Sequence, residues 1–171
     1  MQILPLQPGD VPELVGLAHD VWHRHYPGII TVEQIEYMLD QRYRAEVILD
    51  QLARGSAWWD KLVDAGRIVA FAACEPGARP ASVKLDKLYV RHDLQRRGLG
   101  SRLLRHVEER ARRGGHALVY LQVNRHNAGA IAAYARNGYT VTEAIVTDIG
   151  GGFVMDDYVM AKRLAPAAPA G

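Results

Sequence analysis

Gln95-Arg96-Arg97-Gly98-Leu99-Gly100 lies between an apolar strand and an amphipathic helix, and its reading decides the fold. Before it, Ser82 to Val90 reads as a strand ending in Leu88-Tyr89-Val90. After it, a helix over 98–113 gathers Leu99, Leu103, Leu104 and Val107 on one stripe and turns Arg102, Arg105, Glu109 and Arg113 outward. A strand, a loop with two glycines and two arginines, and a helix start together make an anion site. The first helical turn has unpaired N–H groups at the positive dipole end, and glycine lets a phosphate come close to the backbone. Two familiar phosphate motifs do not fit. A nucleotide loop needs Lys-Ser/Thr after its second glycine, and a dinucleotide fingerprint needs a small residue where Leu103 stands and an acidic one near Leu118-Val119-Tyr120.

A second segment runs from Leu121-Gln122-Val123-Asn124-Arg125-His126-Asn127 through Ala130 and Tyr134 to Asn137-Gly138-Tyr139. Val119 to Val123 reads as a short buried strand and Asn127 as an N-cap. Ala128 to Arg136 reads as a small-residue helix, and Asn137-Gly138 as its left-handed stop. Q-x-x-G-x-G after L-Y-V, followed by this strand, asparagine, helix and glycine-aromatic layout, resembles the GCN5-related N-acetyltransferases (GNAT), clearest over residues 67–140. Val21 to Ile29 looks like a stretch common to small bacterial members, and Met155 to Met160 like the last strand of a subgroup that includes polyamine acetyltransferases. Where many members have proline, this chain has His92.

The resemblance implies an α/β fold with a mixed, mostly antiparallel sheet of about seven strands. The sheet is expected to splay between its fourth and fifth strands, with four to five helices around it. It implies acetyl-CoA as co-substrate, with backbone N–H groups of Leu88, Tyr89 and Val90 on the thioester and pantetheine. Gln95, Arg96, Arg97, Gly98, Leu99, Gly100 and Ser101 would take the pyrophosphate, with closing the loop as the alternative for Gln95, and Asn127 and Ala130 would touch the cofactor. Tyr134 is the expected proton donor to the departing thiolate. Trp22, His23 and Tyr26 lie where the family's acceptor-lining segment sits. For the base, Asp86 shares strand parity with Lys84 and Leu88 and could take the amine proton through water, or simply pair with a neighbouring cation. Glu75 is a weaker candidate.

The implied reaction is direct attack of an amine on acetyl-CoA. The acceptor is expected to be a small molecule such as a polyamine or amino-acid-like amine. A protein N-terminus or lysine is the alternative acceptor, and coenzyme A binding without turnover the alternative function. Length and charge agree. At 171 residues with net charge +2, the chain suits one domain over 1–164 with a Pro/Ala tail over 165–171, and nothing argues for nucleic acid as a partner. No apolar run is long enough for a membrane span, and Met1 to Pro5 lacks the features of a signal peptide. A single cysteine, Cys74, precludes an internal disulfide and fits a reducing cytoplasm.

The remaining chain reads as follows. A strand over Gln2 to Leu6 precedes helices over Asp10 to His23, after the Thr31/Gln34 capping box, and over Ala45 to Leu52. Strands follow over Ala57 to Val63 and Ile68 to Cys74, and at the end over 139–147 and 153–162. His19 and His23 stand four apart but lack a third ligand, so no metal is expected. Trp58 and Trp59 must face opposite sides of one strand, leaving one for an acceptor pocket or a homodimer contact. Asp156 and Asp157 must also face opposite sides, so only one can meet a cationic acceptor.

Overall fold

The computed structural model describes residues 1–165. Its strands are β1 (Gln2–Pro5), β2 (Trp58–Asp64), β3 (Arg67–Pro76), β4 (Ser82–Val90), β5 (Leu118–Asn124), β6 (Thr140–Gly150) and β7 (Phe153–Arg163). Its α-helices are α1 (Val11–His25), α2 (Val32–Arg42), α3 (Ala45–Arg54), α4 (Leu99–Arg113) and α5 (Ala128–Arg136), with 3₁₀ turns at Pro8–Asp10 and His92–Leu94. The strands form one sheet in the order β1-β2-β3-β4-β5-β7-β6. β4 and β5 are parallel, whereas β1/β2, β5/β7 and β6/β7 are antiparallel. The tight turn at Ala65 (φ 46°) and Gly66 (φ 75°) joins β2 to β3, a connection that only antiparallel neighbours can use.

The parallel ladder is short. It pairs Ser82 with Leu118, Val83 with Val119 and Lys84 with Tyr120, and Leu85 to Val90 lie beyond it. By contrast, β7 follows β5 along all seven residues of that strand. The mixed seven-stranded sheet with a parallel β4/β5 pair is the fold class expected.

Two compact units make up the chain. The first takes Met1–Ala73 and Lys87–Leu103, and the second takes Cys74–Asp86 and the described residues from Leu104 on. In the first, α1 buries Val11, Leu14, Ala18, Val21 and Trp22, and α2 buries Ile35, Met38 and Leu39. The Thr31 hydroxyl accepts from Gln34 N–H at 3.2 Å, the cap expected there. Helix α1 runs on to His25, two residues past the expected end, before Gly28 (φ 88°) turns the chain. Trp59 is core at 2% exposure and Trp58 is half-buried.

In the second unit, α4 buries Leu104, Val107 and Ala111, and β5 buries Val119, Leu121 and Val123 by strict alternation. Lys162, opposite Val119 in the ladder, bonds Glu108 of α4 at 2.7 Å, so this is the α4 face of the sheet. Ala165 belongs to the described residues, its carbonyl accepting from Arg112 Nε at 3.0 Å. The rest of the expected tail, 166–171, lies outside them.

Candidate active site

The first unit carries the glycine-arginine loop. Arg91 N–H donates to Val69 O at 2.9 Å as β4 ends, and a 3₁₀ turn buries Leu94. The Gln95 amide donates to the Val90 carbonyl at 3.1 Å, which closes the loop. Arg96 adopts φ 61° and Gly98 φ 79°, so the chain is wound left-handed twice immediately before α4. For arginine that conformation is uncommon. Arg96 and Arg97 are exposed, while Arg91 is held by Asp93 at 2.7 Å, a pairing that pulls the Asp93 carboxyl below its usual range. Arg102 reaches the Met1 carbonyl at 3.0 Å instead of standing free.

A Cβ on Gly98 would meet no heavy atom within 4 Å, whereas one on Gly100 would touch Leu88 and Val90 at 3.7 and 3.8 Å. Gly98 therefore leaves open backbone on the loop's outer side, and Gly100 sits close to β4. Leu99 is buried, and Ser101 is half-buried in the first turn. Open backbone at Gly98, a helix N-terminus and two exposed guanidinium groups fit a pyrophosphate.

The other residues of interest in this unit form an aromatic cluster. Trp22 lies 4.4 Å from Tyr26 and 6.0 Å from Tyr89 between ring centroids, and Tyr89 also meets Tyr43 edge-on and the tilted ring of Phe71. The Tyr26 and Tyr89 hydroxyls are 2.9 Å apart. Lys87 is 5% exposed, with Nζ 5.1 Å from the Trp59 ring centroid and 5.5 Å from that of Tyr43. His23 stands apart from the cluster contacts. Its Nε2 meets Glu36 Oε1 at 2.5 Å and its Nδ1 the His19 carbonyl at 2.8 Å. The Glu36 carboxylate raises the His23 pKa above its ordinary value. Both ring nitrogens are engaged, and among the described residues no three His, Cys, Asp or Glu side chains gather as a metal site.

The second unit carries Asn127, Ala130, Tyr134 and Asp86. Asn124 Oδ1 accepts from His126 N–H at 2.9 Å, which turns the chain out of β5. Asn127 then caps α5 through Ala130 N–H at 3.3 Å, and Gly138 (φ 87°) ends the helix. Tyr134 is half-buried, its ring 5.9 Å from that of Tyr139, and its carbonyl accepts from Tyr139 N–H at 3.1 Å. Tyr139 is fully buried, and its phenol pKa is pushed far up by burial and by the neighbouring Glu108 carboxylate.

Asp86 is half-buried and lies 3.0 Å from Lys84 Nζ on its own strand, the neighbouring-cation pairing that stood as the alternative to a role as base. Asp156 bonds Arg125 at 2.7 Å on the α4 face. Asp157, five residues from Lys162 in an unbroken ladder, takes the opposite face beside Asn124, at 5% exposure. Lys84 shares that face through its partner Tyr120, and Asp86 follows by parity.

Sequence reading missed Glu108, Lys162 and Lys87. Glu108 stands next to Glu109 in a charged helix, but it falls four residues after Leu104 and one after Val107, on the edge of the apolar stripe. Lys87 offers only its strand parity with Val83 and Leu85 as a signal.

Comparison with known proteins bears directly on this arrangement. The model of the Acetyltransferase (GNAT) family matches residues 18–139. The chain is 26% identical to a spermidine N(1)-acetyltransferase of Thermoplasma acidophilum over 91% of its own length and 96% of the relative's. It is 45% identical over 69 residues to a tRNA(Met) cytidine acetyltransferase, TmcA, of Aeropyrum pernix, but this covers 40% of the chain and 9% of that protein. The crystal structure of the PaiA N-acetyltransferase from T. acidophilum in complex with coenzyme A superposes with TM-score 0.82 at 24% identity, over 95% of this chain and 99% of that one.

Proposed function

The chain belongs to the Acetyltransferase (GNAT) family and is an acetyl-CoA-dependent N-acetyltransferase, and we propose that it acetylates a small amine, such as a polyamine, by direct attack of that amine on the thioester. The observation that carries the cofactor assignment is the Gln95–Gly100 loop, with open backbone at Gly98, exposed Arg96 and Arg97, and a helix start behind it. Gln95 shapes the loop through Val90, while the backbone from Gly98 to Ser101 and the two guanidinium groups receive the pyrophosphate. Full-length likeness to a spermidine N(1)-acetyltransferase supports the polyamine choice. The single cysteine, in a chain with no helix among the described residues long and apolar enough to cross a membrane, fits a cytoplasmic setting.

In the proposed chemistry the acceptor arrives mostly as an ammonium near neutral pH and must lose a proton before it attacks. Asp86 is the base that takes this proton through water, and Lys84 at 3.0 Å holds its carboxylate in place. Backbone N–H groups of Leu88, Tyr89 and Val90, beyond the short β4/β5 ladder, take the carbonyl oxygen and the pantetheine. A C–N bond forms, the C–S bond breaks, the departing thiolate takes the Tyr134 phenol proton, and the second proton of the acylated nitrogen passes through water to the Tyr134 phenolate. Asn127 and Ala130, at the α5 N-terminus, hold the cofactor arm. Trp22, His23 and Tyr26 belong to the acceptor side.

An acceptor screen tests the proposal: purified protein, acetyl-CoA and panels of polyamines, amino acids and peptides, with thiol release as the readout. Release with polyamines above the rate without acceptor is the expected result. Release with peptide N-termini alone would move the acceptor to proteins, and no release with any amine would leave a coenzyme A-binding module.

A further inference from the structure

The hydrogen bond between Tyr26 and Tyr89 joins residues 63 positions apart, and it ties two segments that the reaction needs in register. Tyr89 is the middle residue of Leu88-Tyr89-Val90, the stretch proposed to hold the acetyl carbonyl. Tyr26 is the residue at which α1 stops. Its N–H donates to the Trp22 carbonyl at 3.1 Å, and its own carbonyl accepts from Ile29 N–H at 2.9 Å and Ile30 N–H at 3.2 Å. The turn Pro27–Ile30 that follows is closed by a bridge between its ends, with Gly28 at φ 88°. One residue thus fixes the α1–α2 turn through its backbone and grips β4 through its side chain.

Trp22 supplies a second, independent observation. Its ring packs on both Tyr26 and Tyr89, it is 3% exposed, and its Nε1 has no hydrogen-bond partner among the described residues. Buried donors are nearly always satisfied, and leaving one unpaired is unfavourable. The indole is held by its packing on the two tyrosine rings.

Resting on the acetyl-transfer reading above, we infer that Tyr26 and Tyr89 are a positioning pair: their mutual hydrogen bond sets the acceptor-side turn against the strand that presents the acetyl group. Neither phenol touches a reacting atom in this role. Their effect is on the approach of the amine, so acceptor parameters respond and cofactor affinity does not. Misplacement of reacting groups by a fraction of an ångström lowers rate steeply, which is how a neutral hydrogen bond can matter in catalysis.

The test is a double-mutant cycle with Tyr26→Phe, Tyr89→Phe and the double variant in the full chain, using spermidine as probe. Each single variant keeps its ring, so the fold survives. Each is expected to lower kcat/KM for spermidine about three- to tenfold, the range of one neutral hydrogen bond. The acetyl-CoA dissociation constant stays within about twofold, and the double variant is no worse than the poorer single, since one bond is lost in all three. Effects that multiply in the double variant, or a fall in melting temperature with unchanged kcat/KM, would overturn the inference. So would a rise in the acetyl-CoA dissociation constant that matches the loss in rate. Wild-type protein that releases no thiol with spermidine would instead refute the polyamine reading itself, and the cycle would fall with it. Tyr26→Phe alone removes the same bond without altering β4, so its split between spermidine kcat/KM and acetyl-CoA affinity decides the inference even without the Tyr89 variants.

Discussion

Replacing Lys162 with methionine should cost more than any surface ion pair could account for. Lys162 Nζ lies 2.7 Å from Glu108 Oε2, and the Glu108 side chain is 7% exposed against 29% for the lysine. Removing one partner of a buried pair typically costs about 3–5 kcal/mol, because an uncompensated charge remains inside. Water can approach the lysine end, 29% exposed, so a lower figure of about 2–3 kcal/mol is expected. With a urea slope of about 2 kcal/mol per molar for a chain of this size, the midpoint should fall by about 1 M. Adding Glu108→Gln to Lys162→Met removes the stranded charge and should restore more than half of the loss. Urea unfolding followed by circular dichroism on the wild type and three variants reads all of this. A single variant within about 0.5 kcal/mol of wild type would refute the reasoning, as would a double variant no better than the single. In either case the Glu108 carboxylate would be solvated.

Three further outcomes follow from the site. Tyr134→Phe should lower turnover by about 10²–10⁴-fold with acetyl-CoA affinity nearly intact, because its phenol is the proposed proton donor to the thiolate; steady-state kinetics beside calorimetry check this. Gly98→Glu should abolish the rise in melting temperature expected with acetyl-CoA, since it sets a negative charge and an unfavourable φ of 79° where the pyrophosphate is proposed to dock; a preserved shift in a thermal melt would count against the loop. The His23–Glu36 pair raises the folded-state pKa of His23, so its contribution to stability is fully present below about pH 6.5 and is lost as pH rises through the folded value. Stability of wild type relative to Glu36→Gln, measured by urea unfolding between pH 5.5 and 9, should therefore be largest near pH 6 and vanish at the alkaline end.

Local rules made most of the fold legible. Thr31 and Asn127 cap their helices as their side chains dictate, Gly138 stops α5, and Leu99, Leu103, Leu104 and Val107 are buried as their spacing requires. Alternation also stated correctly that Trp58 and Trp59, and likewise Asp156 and Asp157, take opposite faces. Which face is covered by a helix is a matter of packing, so only the structure assigns Asp156 to the α4 side with Arg125 and Asp157 to the other. Side chains that meet across long stretches of chain were invisible for the same reason. His23, expected on the acceptor side, spends both nitrogens on His19 and Glu36, and Tyr26 spends its hydroxyl on Tyr89. Gln95 could face a phosphate or close its own loop by sequence alone, and the bond to Val90 shows that it closes the loop.

Direct transfer is most sharply tested by initial rates measured over a grid of acetyl-CoA and spermidine concentrations, with products identified by mass spectrometry. Attack within a ternary complex predicts intersecting double-reciprocal lines, one equivalent of free coenzyme A per acetylated spermidine, and no acetyl group on the protein. Parallel lines with an acetylated enzyme, most tellingly at Cys74, would contradict it, because they report a covalent intermediate.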